Sequence, residues 1–129
     1  MDASWPVQTA LFSVLDAALD CEIYDNVPSA AQMPYVVIGD DTQVPDDTKT
    51  SLGFDVTVTL HVWSDASDGR REAKQLLGDI YGVLHDAELT LDGMDAISCR
   101  FEFSETLPDV DDRLTHGVAR YRITADKVA

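Results

Sequence analysis

The chain has 129 residues, enough for one domain with a single hydrophobic core, and its apolar fraction of 45% is ordinary for a globular protein. Its charge is unusual, because 24 Asp and Glu stand against nine Lys and Arg and give a formal net charge of −15 at pH 7. Such a surface repels nucleic acid and anionic membranes, which argues against a protein that binds either through a basic patch.

The sequence contains no signal for a membrane or for secretion. No stretch approaches the roughly 18 consecutive apolar residues of a membrane span, and the amino-terminal residues lack the basic region of a secretory signal. The two cysteines, Cys21 and Cys99, lie in apolar segments without metal-ligand spacing. We expect reduced core thiols, with a disulfide between them as the alternative that the sequence leaves open.

The first predicted element is a helix that begins near Ser4 and ends near Asp20. Ser4 can cap the helix, and Pro6 lies in the first turn, where its missing N–H costs little. The apolar residues recur at intervals of three and four and form one stripe that we expect to pack on a sheet. They are Val7, Ala10, Leu11, Val14, Leu15, Ala18 and Leu19. After this helix, Ile23-Tyr24 predicts a short strand.

Two strands joined by a long acidic connection come next. Residues Tyr35–Gly39 are β-branched and apolar, whereas Phe54–Trp63 alternates strictly between apolar and polar side chains, which is typical of a strand with one buried face. The connection Asp40–Leu52 is rich in Asp and Pro. It is much longer than a usual hairpin loop, and loops of such length tend to be functional or mobile.

A second helix is predicted from about Asp68 to Asp86. Gly78 and Gly82 weaken it, by up to about 1 kcal/mol each relative to alanine. Their spacing of four residues places them on one face, where something can approach closely. We expect this to be tight packing of the helix against the sheet. The buried stripe consists of Ala73, Leu76, Leu77, Ile80, Val83 and Leu84.

The remaining sequence predicts a short extended piece at Leu89–Leu91, a turn at Asp92-Gly93 and two strands that form an antiparallel hairpin. The first strand, Ile97–Phe103, alternates so that Ile97, Cys99, Phe101 and Phe103 point inward; the second is Leu114–Thr124. The predicted fold is therefore a single α+β domain, residues 1–129. An antiparallel sheet of about four strands carries two helices on one face, in the order α-β-β-α-β-β.

A search for catalytic or metal-binding patterns finds little. The three histidines, His61, His85 and His116, lie on different elements, and no HExxH, GxSxG or glycine-rich phosphate loop occurs. His61 and His116 both lie on polar strand faces and can be neighbours, but no further ligand accompanies them. Asp109–Asp112 resembles part of a calcium loop without its glycine and distal glutamate. We expect no enzyme, no metal and no cofactor.

The distribution of charge points to contact between copies of the chain. Residues 1–69 contain twelve acids and one base, Lys49, whereas residues 70–129 contain twelve acids and eight bases. An acidic edge of one copy can therefore meet a basic edge of the next, and a contact of this kind closes into a ring when the rotation permits. Trp63 and the arginines Arg113, Arg120 and Arg122 are the candidates for such an interface. Alternatively, the arginines pair within the chain or stay solvated.

Several segments, taken in order, resemble a known family. They are Ile23-Tyr-Asp-Asn-Val-Pro28, Met33-Pro-Tyr-Val-Val-Ile-Gly39, Leu60-His-Val-Trp-Ser64 and Thr115-His-Gly-Val-Ala-Arg-Tyr-Arg122. The ordered set resembles the tail completion proteins, which are the tail terminators of long-tailed phages and of gene transfer agents. The resemblance spans nearly the whole chain and implies the same sheet with two helices on one face.

The resemblance implies a structural virion protein without catalysis. Such a protein forms a homo-hexameric ring at the head-proximal end of the virion tail, after assembly in the bacterial cytoplasm. The ring would cap the tube of tail tube protein, end its polymerisation and offer a docking surface to the head-side connector or stopper. DNA would pass through an acidic channel without specific binding, and no membrane is involved. One alternative is a head-to-tail connector or stopper, and a more remote one is a small acidic binding module that occupies a basic partner.

Three groups of residues are candidates for these contacts. The acidic connection supplies an assembly loop with Asp40, Asp41, Asp46 and Asp47. The subunit or tube interface is expected to contain Arg113, Arg120, Arg122 and Trp63. The polar face of the Phe54–Trp63 strand is expected to line the channel through Asp55, Thr57, Thr59 and His61.

Overall fold

The computed structural model describes residues 2–127, which form two helices and six strands. The strands make one mixed sheet in the order β1-β2-β3-β6-β5-β4. In chain order, the elements are α1 (Ser4–Ala18), β1 (Glu22–Tyr24), β2 (Tyr35–Pro45), β3 (Gly53–Ser64), α2 (Arg71–Leu84), β4 (Thr90–Leu91), β5 (Met94–Pro108) and β6 (Thr115–Lys127).

The two central strands, β3 and β6, establish the core. They pair antiparallel along their whole length, so that Val56 lies opposite Ile123 and Leu60 opposite Ala119. These side chains are buried together with most of the apolar stripes of both helices. Val14, Leu19 and Val83 are only partly buried, and Ala18, expected in the stripe of α1, is exposed at the end of that helix. The strict alternation of β3 is thus confirmed, and the helices cover one face of the sheet.

Both helices occupy the regions that their apolar periodicity predicts. Leu11 and Leu15 of α1 and Ile80 and Leu84 of α2 are fully buried. Helix α1 contacts β1 and β2 as well as β4, which belong to opposite edges of the sheet, so the sheet curls around the helix layer.

The predicted sheet of four antiparallel strands was incomplete. The structure adds β4 and β1, and β1 runs parallel to β2 rather than antiparallel. The short β1 is held by burial of Ile23 and by pairing at the start of β2, where Ile23 lies opposite Val36. Because the turns between the two strands bring the chain back to the same end of the sheet, the pair is parallel.

The predicted boundaries of the acidic connection were also wrong. Strand β2 continues to Pro45, with a bulge between Ile38 and Asp41, and Thr42 and Val44 lie opposite Thr57 and Asp55 of β3. Cross-strand hydrogen bonds to β3 extend the strand through a polar sequence that local composition does not favour. Only residues 46–52 connect the two strands, whereas the sequence predicted a connection over 40–52.

Strand β5 departs from the predicted alternation. Register shifts at Ala96/Ser98 and Phe101/Phe103 break the period of two. Cys99 stays buried, but Ile97 is 61% exposed and Phe103 is 37% exposed, so the expectation that these two point inward was wrong. Neither of the described helices is long and apolar enough to cross a membrane.

Candidate assembly surface

The sheet presents a face that the helices leave uncovered, which we call the open face. It follows from the alternation of β3: burial of Val56 and Leu60 on one side turns Asp55, Thr57, Thr59, His61 and Trp63 to the other. The register with β6 places these residues opposite Thr124, Arg122, Arg120, Val118 and His116. The residues predicted to line a channel therefore share one surface with Trp63, Arg120 and Arg122, which were predicted for an interface.

A stack of three rings lies at one end of the open face. His61 Nδ1 is 2.8 Å from His116 Nε2, and the ring of Trp63 lies parallel to that of His116 at 4.1 Å between centroids. Gly39 makes room for this stack, since a Cβ atom there would lie 2.7 Å from His61 Cδ2. The expected proximity of His61 and His116 is thus confirmed.

The environment of His116 favours its neutral form. Burial lowers the pKa of its imidazole, and the neighbouring His61 lowers it further, while Asp109 and Glu105 act in the opposite direction. Between two imidazoles a single hydrogen bond needs one ring to donate and the other to accept. If both rings are protonated, neither can accept and this hydrogen bond is lost. The hydrogen bond therefore requires at least one neutral ring.

The arginines of the open face are paired within the chain, which was the alternative reading of the sequence. Arg122 Nε donates to the Asp55 carboxylate at 2.8 Å, and its Nη2 donates to the other carboxylate oxygen. Arg120 Nε lies 3.4 Å from a Glu102 carboxylate oxygen, and its guanidinium lies 4.8 Å from the centroid of the Phe103 ring. Exposed pairs of this kind contribute roughly 0–1 kcal/mol to stability, so they determine the charge of the surface more than the fold.

The open face carries both signs of charge, with acids in excess. Three arginines lie on it: Arg100, Arg120 and Arg122. Six acids lie on it or are paired to its residues: Asp55, Asp86, Asp95, Glu102, Glu105 and Asp126. The face therefore contributes to the formal net charge of −15.

Arg113 does not belong to this surface. It lies in the turn between β5 and β6, is 84% exposed, and donates from Nη2 to the Asp111 carboxylate at 2.8 Å. Its guanidinium holds the pKa of Asp111 down at about 2. The predicted interface set is thus divided between the open face and this turn.

The connection between β2 and β3 is a folded hairpin tip, which we define as residues 46–52. The Asp47 carboxylate accepts a hydrogen bond from the Gly53 N–H at 3.1 Å, and the Thr48 N–H donates to the Ser51 carbonyl at 2.8 Å. Asp40 and Asp41 lie outside the tip, in β2, where Asp41 accepts a hydrogen bond from the Ser4 hydroxyl at 3.0 Å. The four acids predicted for one loop therefore occupy two different environments.

An acidic groove of about 820 Å³ lies between α2 and the segment that joins α1 to β1. Gly78 and Gly82 line its wall, and a Cβ atom at either would have no neighbour within 4 Å. The expectation that these glycines allow tight packing of α2 against the sheet was therefore wrong, because they face open space. Four carboxylates line the groove: Asp20, Glu22, Glu72 and Asp79.

The reactive groups of the described chain do not assemble into a compact centre. In residues 2–127, no group of three or more His, Cys, Asp or Glu side chains is arranged to hold a metal ion. Both cysteines are free thiols: Cys99 is buried, which raises its pKa to about 11, and Cys21 lines the acidic groove. The distinctive features of the molecule are the open face, the hairpin tip and the acidic groove, which are surfaces suited to contact with other proteins. We therefore infer a protein of the assembly class.

Comparison with known families agrees with this class. The profile of the family described as tail completion protein gp17 matches residues 7–126. The chain therefore belongs to the gp17 tail completion family, and it is a structural, non-enzymatic tail protein. The family resemblance inferred from the ordered sequence segments is confirmed.

A relative supports the same family, and two solved structures support the fold. The chain is 31% identical over 91 residues to the tail completion protein gp17 of Bacillus phage SPP1. The matched region covers 70% of this chain and 66% of that relative, so the chain spans slightly under two thirds of the relative's length. Its fold matches a chain in the virion of a native gene transfer agent particle with a TM-score of 0.86, at 20% identity and coverage of 96% and 97%. It also matches the structure of bacteriophage SPP1 gp17 with a TM-score of 0.59, at 24% identity and coverage of 98% and 91%.

Proposed function

We propose that six copies of this protein form a ring that caps the head-proximal end of the tail tube. The ring ends tube polymerisation and offers the docking surface for the head-side connector. Membership of the tail completion family over residues 7–126 is the observation that carries the proposal. The partners are further copies of the chain, the tube protein and the connector.

Electron microscopy of particles that lack the protein tests this function. Loss of a terminator leaves tubes that are over-long or unfinished, because nothing stops the addition of tube subunits. Loss of a connector instead leaves finished tails beside unjoined heads, and that result would reject the terminator in favour of the connector. Complementation with the intact chain is the control, and it should restore both tail length and head attachment.

The pairing of arginines with acids on the open face bears on how DNA would pass. DNA binding by proteins draws on unpaired Lys and Arg that release counterions from phosphates. On the open face, Arg122 is held by Asp55 and Arg120 by Glu102, and Thr57 and Thr59 add neutral hydroxyls between them. A channel lined by Asp55, Thr57, Thr59 and His61 would therefore hold phosphates weakly, which suits passage without specific binding.

Charge reversal tests whether the open face also makes contacts within the assembly. Arg120→Glu combined with Arg122→Glu leaves Asp55 and Glu102 without partners and makes the open face more acidic. We expect fewer rings and fewer attached tails. Lys127→Glu is the control, because Lys127 is an exposed cation whose position in β6 alternates away from the open face. If particles assemble normally with both open-face arginines reversed, these residues have no part in the interface.

The hairpin tip is the proposed contact element toward the tube or the channel. Leu52 in the tip is apolar and 56% exposed, so a contact at the tip would bury an apolar side chain. Amide hydrogen exchange of residues 46–52 should slow when the protein passes from the free form to assembled tails. Equal protection in the two states would reject a role for the tip.

A further inference from the structure

Helix α2 begins with cations that have no partner in the described chain. Arg70, Arg71 and Lys74 are exposed, and none forms an ion pair within residues 2–127. By contrast, each of the four other arginines lies within 4.0 Å of a carboxylate. Cations at a helix amino terminus oppose the helix dipole, and here only Glu72 in the first turn offsets them, because the residue before the helix provides no side-chain cap. We call these three residues the basic turn.

The acidic groove has the opposite character. Its lining contains four carboxylates and no Lys or Arg, together with apolar side chains such as Leu76 and Met33. The absence of side chains at Gly78 and Gly82 lets another chain approach the backbone of α2 closely. The groove therefore suits a protein segment that brings several cations.

The two surfaces lie on opposite flanks of α2 near the same end of the sheet. Lys74 borders a depression that also contains residues 104–106 of β5, whereas the groove lies toward α1 and β1. Both lie near the end where β3 finishes at Ser64 and β2 begins at Tyr35. A head-to-tail contact between copies in the same orientation joins two different, complementary patches that lie at the same height along the ring axis. Such contacts close into rings when the rotation between copies permits.

We propose that the basic turn of one copy docks in the acidic groove of the next copy around the ring. The occupant is a second copy, because this chain itself carries the cations that complement the groove. The carboxylates of the neighbour would also compensate the amino-terminal dipole of α2, which the monomer leaves without a side-chain cap. This inference rests on the proposed ring and specifies which surfaces join its subunits.

Mixing two variants tests the contact. Arg71→Glu places a negative charge against the groove, and Asp79→Arg places a positive charge against the basic turn. Like charges at an interface cost several kcal/mol, so each variant alone should form rings at least about tenfold less well than the original chain. In an equal mixture, alternating copies place the introduced glutamate of one variant against the introduced arginine of the other, and ring formation should return.

The outcomes of the mixing experiment separate the alternatives. Unchanged melting temperatures establish that both variants fold. Lys127→Glu provides a control reversal at an exposed cation outside the basic turn, the acidic groove and the hairpin tip. Recovery in the mixture supports a contact between turn and groove. Two defective variants that fail to complement each other would overturn that pairing and point to another partner for these surfaces. Normal assembly of either single variant would overturn the proposal as well.

Cross-linking gives an independent readout, because the groove already contains the native thiol Cys21. In Arg71→Cys particles, oxidation with diamide, which accepts the two electrons, should join the introduced thiol of one copy to Cys21 of the next. A ladder of linked subunits on a denaturing gel is expected. The ladder should disappear when Cys21→Ser is added, and Val110→Cys, at an exposed position outside the basic turn, should give none.

This readout distinguishes failure of the contact from failure of the proposed function. If deletion of the protein alters tail length but Arg71→Cys particles give no ladder, the terminator function stands and the contact is rejected. If the ladder forms but deletion leaves tail length unchanged, the contact stands and the terminator function is rejected.

Discussion

The glycines of this protein provide a prediction in which one substitution has opposite effects at different positions. Gly78 lies in the middle of α2 and Gly82 in its last turn, and a Cβ atom at either would have no neighbour within 4 Å. Gly39 lies under the His61 ring, where a Cβ atom would be 2.7 Å from Cδ2 and 3.1 Å from the Thr59 carbonyl oxygen. Alanine should therefore stabilise the helix and destabilise the sheet.

The magnitudes follow from these environments. Replacing a glycine in a helix interior with alanine gains up to about 1 kcal/mol, so Gly78→Ala with Gly82→Ala should gain at most about 2 kcal/mol. For a chain of this length, each kcal/mol shifts the melting temperature by about 4 °C, which gives a rise of at most about 8 °C for the double variant. Gly39→Ala forces the His61 ring to move, and overpacking of this kind costs about 1–3 kcal/mol.

Thermal unfolding followed by circular dichroism measures both effects on the free protein. Urea unfolding confirms them as free energies, provided that the slope with denaturant stays unchanged. If Gly78→Ala with Gly82→Ala lowers the stability, as Gly39→Ala is expected to do, then packing within the subunit requires Gly78 and Gly82, and the groove is not open. If the groove receives a neighbouring copy, the same variant should assemble less well even though it is more stable.

Two further predictions concern single side chains of the sheet. Burial lowers the pKa of His116 in the folded state below its unfolded value of about 6.5. The contribution of its neutral form is therefore fully present above about pH 6.5 and is lost as the pH falls from there through the lower folded-state pKa. His116→Gln should therefore lose less stability than the original chain between about pH 7.5 and 5.5 in urea titrations. His85→Gln is the control. If His116→Gln loses as much stability as the original chain over this pH range, the reasoning is contradicted. The buried Tyr121 hydroxyl has no hydrogen-bond partner among the described residues, so Tyr121→Phe removes a desolvation cost of about 1–3 kcal/mol and should leave the urea midpoint unchanged or higher. A lower midpoint would mean that this hydroxyl has a partner.

Sequence periodicity predicted the elements whose environment is uniform along their length. The stripes of α1 and α2 and the alternation of β3 each depend on one buried side. The spacing of apolar residues within each segment is enough to identify that side. Strand β5 could not be predicted in the same way, because its two bulges turn Ile97 and Phe103 outward without any change in the local pattern. The added length of β2 likewise depends on hydrogen bonds from β3 and not on its own polar residues.

The candidate surfaces depended even more on tertiary placement. The sequence placed Arg122 and Asp55 in separate groups, and they pair because β6 lies beside β3. The open setting of Gly78 and Gly82 results from the path of the chain between α1 and β1, which composition does not specify. The sequence did identify the polar face of β3 and the proximity of His61 and His116, since both follow from strand alternation.

The distribution of charge implies that the two proposed surfaces respond differently to salt. Copies that each carry −15 repel one another, so association must overcome this repulsion. The open face carries acids in excess of arginines, so contacts through it should be unaffected or strengthened as salt screens the repulsion between copies. Contacts between the basic turn and the acidic groove draw on attraction across the interface, which salt screens within about 8–10 Å. Rings that dissociate as salt is raised would therefore indicate the groove contact, whereas rings that are indifferent to salt or favoured by it would indicate association through the open face.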